Sequence, residues 1–224
     1  MKSLFALIRH GAYHQLVGVP SALQPFPLTE EGVRVVQKEA ELFKQWLNGE
    51  KYGVSPDVIS STSLRAWQTA QIYCDVLKYD FSTAPVITQT PGLCERSVGA
   101  VANLTVEQIE QIVIDDPRLT PLPEGWKSDS RFCLPFDGAE SLIQAGERVA
   151  TTLVDNARDG LIHLHFGHGA SFRHAAFHKN VIKMSDIKKL SMHYGHPIVF
   201  ERSEQEVTKI YGDWKVRNTS SDLD

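Results

Sequence analysis

Two histidine–glycine pairs carry the clearest chemical signal in this sequence. Arg9-His10-Gly11 follows directly after the apolar run 4–8, and His168-Gly169 closely follows the apolar segment 161–166. Apolar runs of this length predict buried strands, so each pair should lie where a strand meets a loop or a helix. Histidine can attack phosphorus as a nucleophile, and a guanidinium group matches the oxygens of a phosphate. The pattern therefore predicts a site that captures a phosphoryl group.

Further groups would complete such a site. Arg65 follows a serine-rich turn at which a strand is predicted to pass into a helix, so it is a candidate second clamp on phosphate. Glu95 is a loop carboxyl and a candidate proton donor for the leaving group. A protonated His168 would add positive charge, and the N–H groups of Gly169 and Ala170 at a predicted helix start would add donors. Each residue alone is more often structural or solvated, so the prediction depends on the whole set.

Regular elements have to position these residues, and the sequence predicts strands that alternate with helices. The strands are predicted at 4–8, 57–61, 86–90 and 161–166, with a closing hairpin at 198–200 and 207–211. The helices are predicted from an N-cap at Thr29 to about Leu47, and at 63–77, 105–113, 140–158 and 171–180. This alternation predicts an α/β fold, a three-layer α/β/α sandwich with a mostly parallel central sheet. Ligands of such sheets bind beyond the carboxyl ends of the strands, where both histidine–glycine pairs fall.

The length and composition favour one domain. The 224 residues, 42% of them hydrophobic, are enough for one core, and we predict a single domain over 1–224. Residues 115–139 contain four prolines and are expected to form a long, irregular surface excursion. Within it, Trp126 beside Lys127 either packs against the domain or forms part of a substrate lid. The polar tail after Trp214 is expected to fray.

Charge, cysteines and hydropathy exclude several classes of protein. The net charge of -4 argues against non-specific binding to nucleic acid, although a local cationic pocket remains compatible with it. The three scattered cysteines favour a reducing compartment over a disulfide framework. No segment approaches the roughly 20 apolar residues that span a bilayer, and five apolar residues before Arg9 are too few for a signal peptide. We therefore expect a cytoplasmic protein without membrane contact, whose oligomeric state the sequence leaves open.

A series of segments resembles, in order, the motifs of one protein family. The segments run through residues 4–201 and read LIRHG, PLTEEGVRVVQKEAELF, VISSTSLRAWQTAQI, LCERSVGA, GAESLIQAGERV and FGHGASFRHAAF. The family is the histidine phosphatase superfamily, also called the phosphoglycerate-mutase-like family. The resemblance implies a phosphoglycerate-mutase-like fold and catalysis without a metal or an organic cofactor.

The same resemblance assigns a role to each candidate residue. By it, His10 forms a phosphohistidine, while Arg9, Arg65 and His168 complete the phosphate pocket. Glu95 then donates the proton to the leaving group. The reaction implied is phosphoryl transfer from a small phosphorylated substrate through a covalent enzyme intermediate.

The branch of the family is harder to assign. Segments near Glu95 and at 195–201 are similar to cofactor-dependent phosphoglycerate mutases. The chain departs from the mutase pattern at 13–16, at Val98 and at about Val106, and it lacks a tandem arginine pair in the excursion. Mutases use those groups to grip the second anionic end of a bisphosphoglycerate, so water should compete well for the phosphohistidine here. We therefore predict a phosphatase that hydrolyses a phosphate monoester.

Three alternatives stay open. The first is phosphoglycerate mutase-like phosphotransfer. The second is a non-catalytic phospholigand-binding or protein-binding module, against which the complete set of nucleophile, cations and acid argues. The third concerns the substrate, because the pattern Arg-His-x-x-Tyr-His at 9–14 also resembles a branch that dephosphorylates proteins. A phosphoprotein is thus an alternative to a small molecule.

A rival pattern predicts a metal site. The segment His163-x-His165-x-Gly167-His168 is close to the H-x-H-x-D-H zinc motif of metallo-β-lactamase-like hydrolases. Gly167 stands where that motif has an aspartate, and the other motifs of that family are not evident. His174 and His178, four residues apart on a predicted helix, offer a second pair. We interpret His163 and His165 as buried strand histidines with local partners, and His174 and His178 as a solvated or core-packed pair. We therefore predict no metal.

Overall fold

Strand β1 (Ser3–Arg9) explains why the core forms where it does. All seven of its residues are buried, as expected for a near-continuous apolar run that is covered on both faces. The even-numbered residues from Leu4 to Ile8 pack into one apolar cluster, and Phe5 and Leu7 pack into another. Because side chains alternate along a strand, this one segment contributes to the core on both sides of the sheet.

The structure is a computed structural model that describes residues 2–20, 23–155, 157, 159–204 and 206–217. Within these residues the further strands are β2 (Gly53–Val54), β3 (Asp57–Ser61), β4 (Val86–Thr90), β5 (Leu161–Gly167), β6 (Leu190–Ser191), β7 (Pro197–Arg202), β8 (Val207–Tyr211) and β9 (Lys215–Val216). The α-helices are α1 (Glu30–Glu50), α2 (Leu64–Val76), α3 (Val106–Asp115), α4 (Leu142–Thr152), α5 (Gly169–His178) and α6 (Met184–Ile187).

The central sheet has the strand order β4-β3-β5-β1-β7-β8, with β2 also paired to β5. The pairs β1–β5, β3–β5, β3–β4 and β2–β5 are parallel. The closing hairpin of β7 and β8 is antiparallel, and β7 also runs antiparallel to β1. The predicted mostly parallel sheet is confirmed, and it brings the carboxyl ends of β1, β3 and β5 to one edge.

Helices cover both faces of this sheet. Helices α1 and α2 pack on one face, where Phe43 and Tyr73 join the first apolar cluster. Helices α4 and α5 pack on the other, where Val149 and Phe172 join the second. Burying a side chain such as Phe172 contributes about 1.5–3 kcal/mol relative to leaving it exposed. The predicted three-layer sandwich is confirmed. Across the described ranges, no helix is both long enough and apolar enough to cross a bilayer.

Helix starts follow the predicted caps more closely than helix ends do. The Thr29 side chain accepts the Gly32 N–H at 2.9 Å before α1, and Thr105 forms a capping box before α3. Helix α4 is shorter than predicted: Ser141 caps it with a second capping box, and it ends at Thr152. The predicted end at Arg158 lies outside the described residues. Helix α5 begins two residues earlier than predicted, which makes His168 its N-cap.

The excursion at 115–139 is irregular, as predicted, but it is not wholly a surface segment. Trp126 is 3% exposed and Leu134 is 5% exposed. Both belong to a third apolar cluster with residues such as Val98 and Ile109. The indole N–H of Trp126 also donates to Glu110 at 3.1 Å, so this tryptophan packs against the domain.

The chain after Trp214 is more ordered than expected. Strand β9 pairs antiparallel with β6, with Leu190 opposite Val216 and Ser191 opposite Lys215. The prediction of a frayed tail is therefore wrong for these residues. These residues are ordered because β6 offers backbone donors and acceptors. A two-residue strand can satisfy these groups whatever the polarity of its side chains. Residues 218–224 lie outside the described residues.

Candidate active site

The two histidine–glycine pairs meet because β1 and β5 are parallel neighbours. Arg9 lies opposite Gly167, and the backbone N–H of His10 donates to the Gly167 carbonyl at 3.0 Å. The residue that follows this pair in each strand is a histidine, His10 after Arg9 and His168 after Gly167. The ring centroids of the two histidines lie 5.0 Å apart. Both side chains are buried. The structure therefore brings together the two histidines that the sequence singled out.

The ring of His10 is held in one tautomer. Its Nδ1 lies 2.8 Å from the Gly11 carbonyl oxygen, which can only accept, so Nδ1 carries the proton. Burial lowers the pKa of His10 well below its usual range, and the nearby Arg65 and Arg9 lower it further. The imidazole is therefore neutral at pH 7, with the lone pair on Nε2. This is the form that can attack phosphorus without losing a proton first.

His168 is neutral as well, which changes the expectation of a charged ring. The Arg65 guanidinium lies 3.2 Å from Nδ1 and can only donate, so Nδ1 accepts and Nε2 carries the proton. That proton points to the Ser61 hydroxyl at 2.9 Å. Burial lowers the pKa of His168 well below its usual range, and Arg65 and His10 add to the effect. An arriving phosphate dianion would favour the protonated ring, so the added charge requires the ligand.

Two arginines border these rings, each held by a carbonyl and an aromatic ring. Arg65 is fully buried in the first turn of α2, donates to the Gln24 carbonyl at 2.8 Å, and lies 4.6 Å from the centroid of the Tyr13 ring. Arg9 donates to the Met192 carbonyl at 3.0 Å and lies over the Tyr194 ring. Such contacts fix a guanidinium in place before a ligand arrives.

The sequence did not identify these supporting groups. Gln24, Met192 and Tyr194 act on the arginines through a backbone carbonyl or a ring face, and neither contact leaves a spacing signal in the sequence. In the sequence, Tyr13 is notable only because it departs from the mutase pattern. In the structure, its ring supports the guanidinium of Arg65.

Glu95 lies at the amino end of α5. Its carboxylate accepts the N–H groups of Ala170 at 3.1 Å and Ser171 at 2.9 Å, and also that of Arg96 at 3.0 Å. A carboxylate at a helix N-terminus is stabilised by the exposed N–H groups and by the helix dipole. The Ala170 N–H is thereby engaged, so its predicted bond to phosphate would require Glu95 to turn away.

Gly169 is needed for the close approach of Arg9. A Cβ atom built on Gly169 would lie 3.2 Å from both Cδ and Nε of Arg9, which is tighter than ordinary van der Waals contact. The glycine therefore lets the guanidinium lie against the start of α5. The donation of its N–H to phosphate stays a prediction.

Arg148 is a supporting residue that no sequence pattern indicates. From α4 it forms an ion pair with Glu140 at 2.7 Å and donates to the carbonyls of Pro91, Gly92 and Cys94 at 3.0–3.1 Å. It also donates to the Glu95 carbonyl at 3.3 Å. Arg148 therefore fixes the loop that carries the candidate acid. The loop carbonyls that it holds are more than 50 residues away, so no local pattern marks this contact.

The histidines of the rival zinc pattern have local partners instead. His165 accepts the Val154 N–H at 2.9 Å and donates to the Ala6 carbonyl at 3.2 Å, which engages both ring nitrogens. His163 contacts Asp159 at 3.1 Å. His174 bonds the Ala170 carbonyl and the Ser130 hydroxyl. In the part of the chain that the structure describes, no group of three or more His, Cys, Asp or Glu residues could hold a metal ion.

A cavity of about 190 Å³ lies next to the histidines' site and shares Glu95 and Ala170 with it. Lys127 and Ser128 of the excursion line it, together with residues of α5 and of the last described segment. Trp126 itself packs in the third apolar cluster, so the excursion lines the cavity through the residues that follow this tryptophan.

A comparison with protein-family models decides the family. Residues 5–211 match the model of the histidine phosphatase superfamily, branch 1. The chain belongs to this superfamily. The resemblance noted from the motifs is thereby confirmed over nearly the whole chain. No curated protein matches the sequence at a significant level.

Solved structures share this fold at low sequence identity. An alpha-ribazole phosphatase from Shigella flexneri is 16% identical with a TM-score of 0.68, and the match covers 96% of each chain. A mycobacterial glucosyl-3-phosphoglycerate phosphatase is 17% identical with a TM-score of 0.65, covering 98% of this chain and 100% of that chain. The latter has also been solved with inorganic phosphate, at a TM-score of 0.62 and 17% identity over 99% and 100% of the two chains. These likenesses establish the histidine phosphatase fold for this chain.

Proposed function

We propose that this protein is a phosphatase that hydrolyses a small phosphate monoester through a phosphohistidine on His10. The observation that carries the proposal is the state of His10: a neutral, buried ring whose Nδ1 proton is fixed on the Gly11 carbonyl. Arg9 and Arg65 border it and suit the oxygens of a phosphoryl group. His168, also neutral, lies beside them.

The reaction has two steps. In the first, Nε2 of His10 attacks phosphorus and the bond from phosphorus to the ester oxygen breaks. Glu95 enters this step in its protonated form, after it has left the N–H groups of α5, and gives the ester oxygen its proton. In the second, Glu95 takes a proton from water, the water oxygen attacks phosphorus, and the bond to Nε2 breaks to release inorganic phosphate. The arginines stabilise the equatorial oxygens in both transition states.

Glu95 has to move for this role. In the structure its oxygens accept the N–H groups at the start of α5. Binding of a phosphoryl group at the same helix end would compete for those donors and favour release of the carboxyl side chain. Ala170 then becomes available as a phosphate donor, which reconciles the two predicted roles.

Hydrolysis is favoured over mutase chemistry by the departures from the mutase pattern. The side chain of Val98 is buried in the third apolar cluster and cannot form a hydrogen bond, and Val106 is the first residue of α3. The two structural neighbours named above are phosphatases by name, which supports the same branch without fixing the substrate. The cationic residues of the neighbouring cavity favour one second candidate function. If they retain an anionic product, the phosphoryl group could return from His10 to a different hydroxyl of that product, which is mutase chemistry.

We also propose a cytoplasmic location and a small-molecule partner in preference to a phosphoprotein or a nucleic acid. The three unbridged cysteines, one of them exposed, support a reducing compartment. The cavity volume of about 190 Å³ suits a small group. We also propose that residues 1–224 form one domain.

The decisive experiment is to trap the intermediate. Wild-type protein mixed with p-nitrophenyl phosphate should release phosphate and, on rapid quenching without acid, carry an acid-labile phosphoryl group. His10→Ala should lose both. His178→Ala is a matched control, because this ring bonds the Ile143 carbonyl at the far end of α5. Undiminished turnover in His10→Ala would reject the proposal, and exchange between 2- and 3-phosphoglycerate faster than phosphate release would favour the mutase.

A further inference from the structure

The cavity beside the active site has an unusual charge. Five of the described residues that line it carry cationic side chains at neutral pH, against the one carboxylate of Glu95. The five are Arg96, Lys127, Arg173, Lys188 and Arg217. The chain as a whole has a net charge of -4, so this concentration of positive charge is a local property of the cavity.

The fold holds these cations in place. Arg173 is buried on α5 and donates to the Leu190 carbonyl in β6. Arg217 follows β9, and its backbone N–H donates to the Lys189 carbonyl at 2.9 Å. The pairing of β6 with β9 therefore brings cations from two distant parts of the chain to one wall. Such preorganisation reduces the entropy that is lost when a ligand binds.

Apolar residues in the lining of the cavity strengthen the electrostatic potential of its cations. Val98, Leu142 and Ile187 are buried apolar residues of the same cavity. Charges near apolar walls interact more strongly than charges in water, because the local dielectric is lower. Cationic side chains that line one cavity attract an anionic ligand electrostatically. The cavity therefore favours an anionic group over a neutral one.

Size limits the anion. Pockets for drug-sized ligands measure roughly 300–1,000 Å³, whereas this cavity measures about 190 Å³. We propose that the substrate is a small phosphate monoester whose leaving group carries a second anionic group, phosphate or carboxylate, which binds in this cavity. The inference rests on the proposed function, since that function places the first phosphate at His10.

The cations that line the cavity come from inside and outside the segments that resemble the family. Val98 and Val106 stand where the mutase pattern has polar groups. Arg96 and Arg173 lie in the segments LCERSVGA and FGHGASFRHAAF, whereas Lys127, Lys188 and Arg217 lie outside the resembling segments. Lys188 is exposed and Arg217 is half-buried, whereas Arg96 and Arg173 are buried, so replacing Lys188 or Arg217 disturbs the core less than replacing either of the buried arginines. Lys188 and Arg217 are the specificity-determining residues that we test.

The test compares three esters built on one three-carbon frame: propyl phosphate, 3-phosphooxypropanoate and propanediol bisphosphate. We expect kcat/KM for at least one of the two bis-anionic esters to exceed that for propyl phosphate by roughly ten- to a hundredfold, as for hydrogen bonds between charged groups. The better of the two identifies the second anion as carboxylate or phosphate. Equal kcat/KM for all three esters would overturn the inference and leave the phosphatase proposal intact.

Variants locate the effect. Lys188→Ala and Arg217→Ala should each reduce the preference for the bis-anionic ester by about threefold to tenfold or more. Lys189→Ala is the matched control: this side chain is 69% exposed, pairs with Asp186, and does not line the cavity. An unchanged preference in both cavity variants would assign the selectivity elsewhere and overturn the inference.

Binding measurements with the three esters distinguish a failure of the cavity assignment from a failure of the proposed phosphatase function. Dissociation constants of the same esters can be measured by calorimetry on His10→Ala, which needs no turnover. Tighter binding of a bis-anionic ester, without any phosphatase activity in the wild type, would retain the cavity assignment and reject the phosphatase. Equal affinities for the three esters would reject the cavity assignment, whatever the activity.

Discussion

The guanidinium of Arg65 donates a hydrogen bond to Nδ1 of His168 at 3.2 Å. Because this bond fixes the proton of His168 on Nε2, facing Ser61, the arginine determines the tautomer of the histidine as well as supplying charge. The two residues form a unit before any ligand is present, and substitutions at both should be less than additive.

Arg65→Lys tests this unit. The lysine keeps the positive charge but loses the planar fork and its bonds to the Gln24 carbonyl and His168. We expect kcat to fall by about ten- to a thousandfold, as for other preorganised donors, and the double variant with His168→Gln to fall little further. The measurement is steady-state kinetics with p-nitrophenyl phosphate. Arg34→Lys on the surface of α1 is the control, and a raised KM at unchanged kcat would mean uniform binding instead.

Glu95→Gln tests the proton donor. Esters with poor leaving groups need a proton on the departing oxygen, whereas p-nitrophenolate barely does. We expect a loss of about a hundredfold or more on propyl phosphate, within the usual range for general acid catalysis, and a small loss on p-nitrophenyl phosphate. Glu147→Gln, on the adjacent α4, is the control. Equal losses on both esters would remove Glu95 from the acid role.

A chelator should leave turnover unchanged. Side chains supply all the charges that the proposed mechanism places on the phosphoryl group, and both nitrogens of His165 are engaged with backbone groups. Activity is measured before and after dialysis against EDTA, and again with His163→Gln. Activity lost to EDTA and restored by zinc would favour the rival H-x-H interpretation.

Stability should fall in mild acid. Burial lowers the pKa of both His165 and His174 to about 4, whereas unfolded histidine titrates near 6.5. The unfolded chain therefore binds protons that the folded chain does not, so the free energy of unfolding decreases from about pH 6.5 down to about pH 4. Each of these histidines contributes a loss of about 3 kcal/mol, an order-of-magnitude figure. His10 and His168 act in the same direction, because burial lowers their pKa too.

Urea unfolding at several pH values measures this effect. His165→Gln removes one titrating group, so its stability should vary less with pH than that of the wild type, by the linkage of one proton. The physical reason is local: a protonated His165 would place an N–H against the N–H of Val154. The same pH dependence in His165→Gln as in the wild type would contradict this assignment.

Much of the active site could be predicted because its residues follow buried strands. The apolar runs before His10 and His168 predicted two strand ends, and parallel pairing then brought these ends together. The caps at Thr29 and Thr105 were predictable for a similar reason, since side chain and backbone donor are only three residues apart. Local patterns thus predicted both the strand that precedes His10 and several helix starts.

The remaining features depend on contacts between distant segments. The two-residue strand β9 has no apolar pattern, and only the free edge of β6 makes it a strand. No local pattern distinguishes Arg217 or Lys188 from other charged residues, because the cavity that both line exists only in the folded chain. Glu95 was predicted as a loop acid, yet its bonds to the start of α5 join residues 75 and 76 positions apart.

The segment from Leu190 to Met192 holds one arginine of the cavity and one arginine beside His10. The Leu190 carbonyl holds Arg173 of the cavity, and the Met192 carbonyl holds Arg9 of the phosphate site. Only Ser191 lies between the two residues whose carbonyls hold these arginines. Backbone geometry therefore contributes to the spacing of the two arginines, and we expect a substrate that contacts both to carry its two anionic groups at a matching distance.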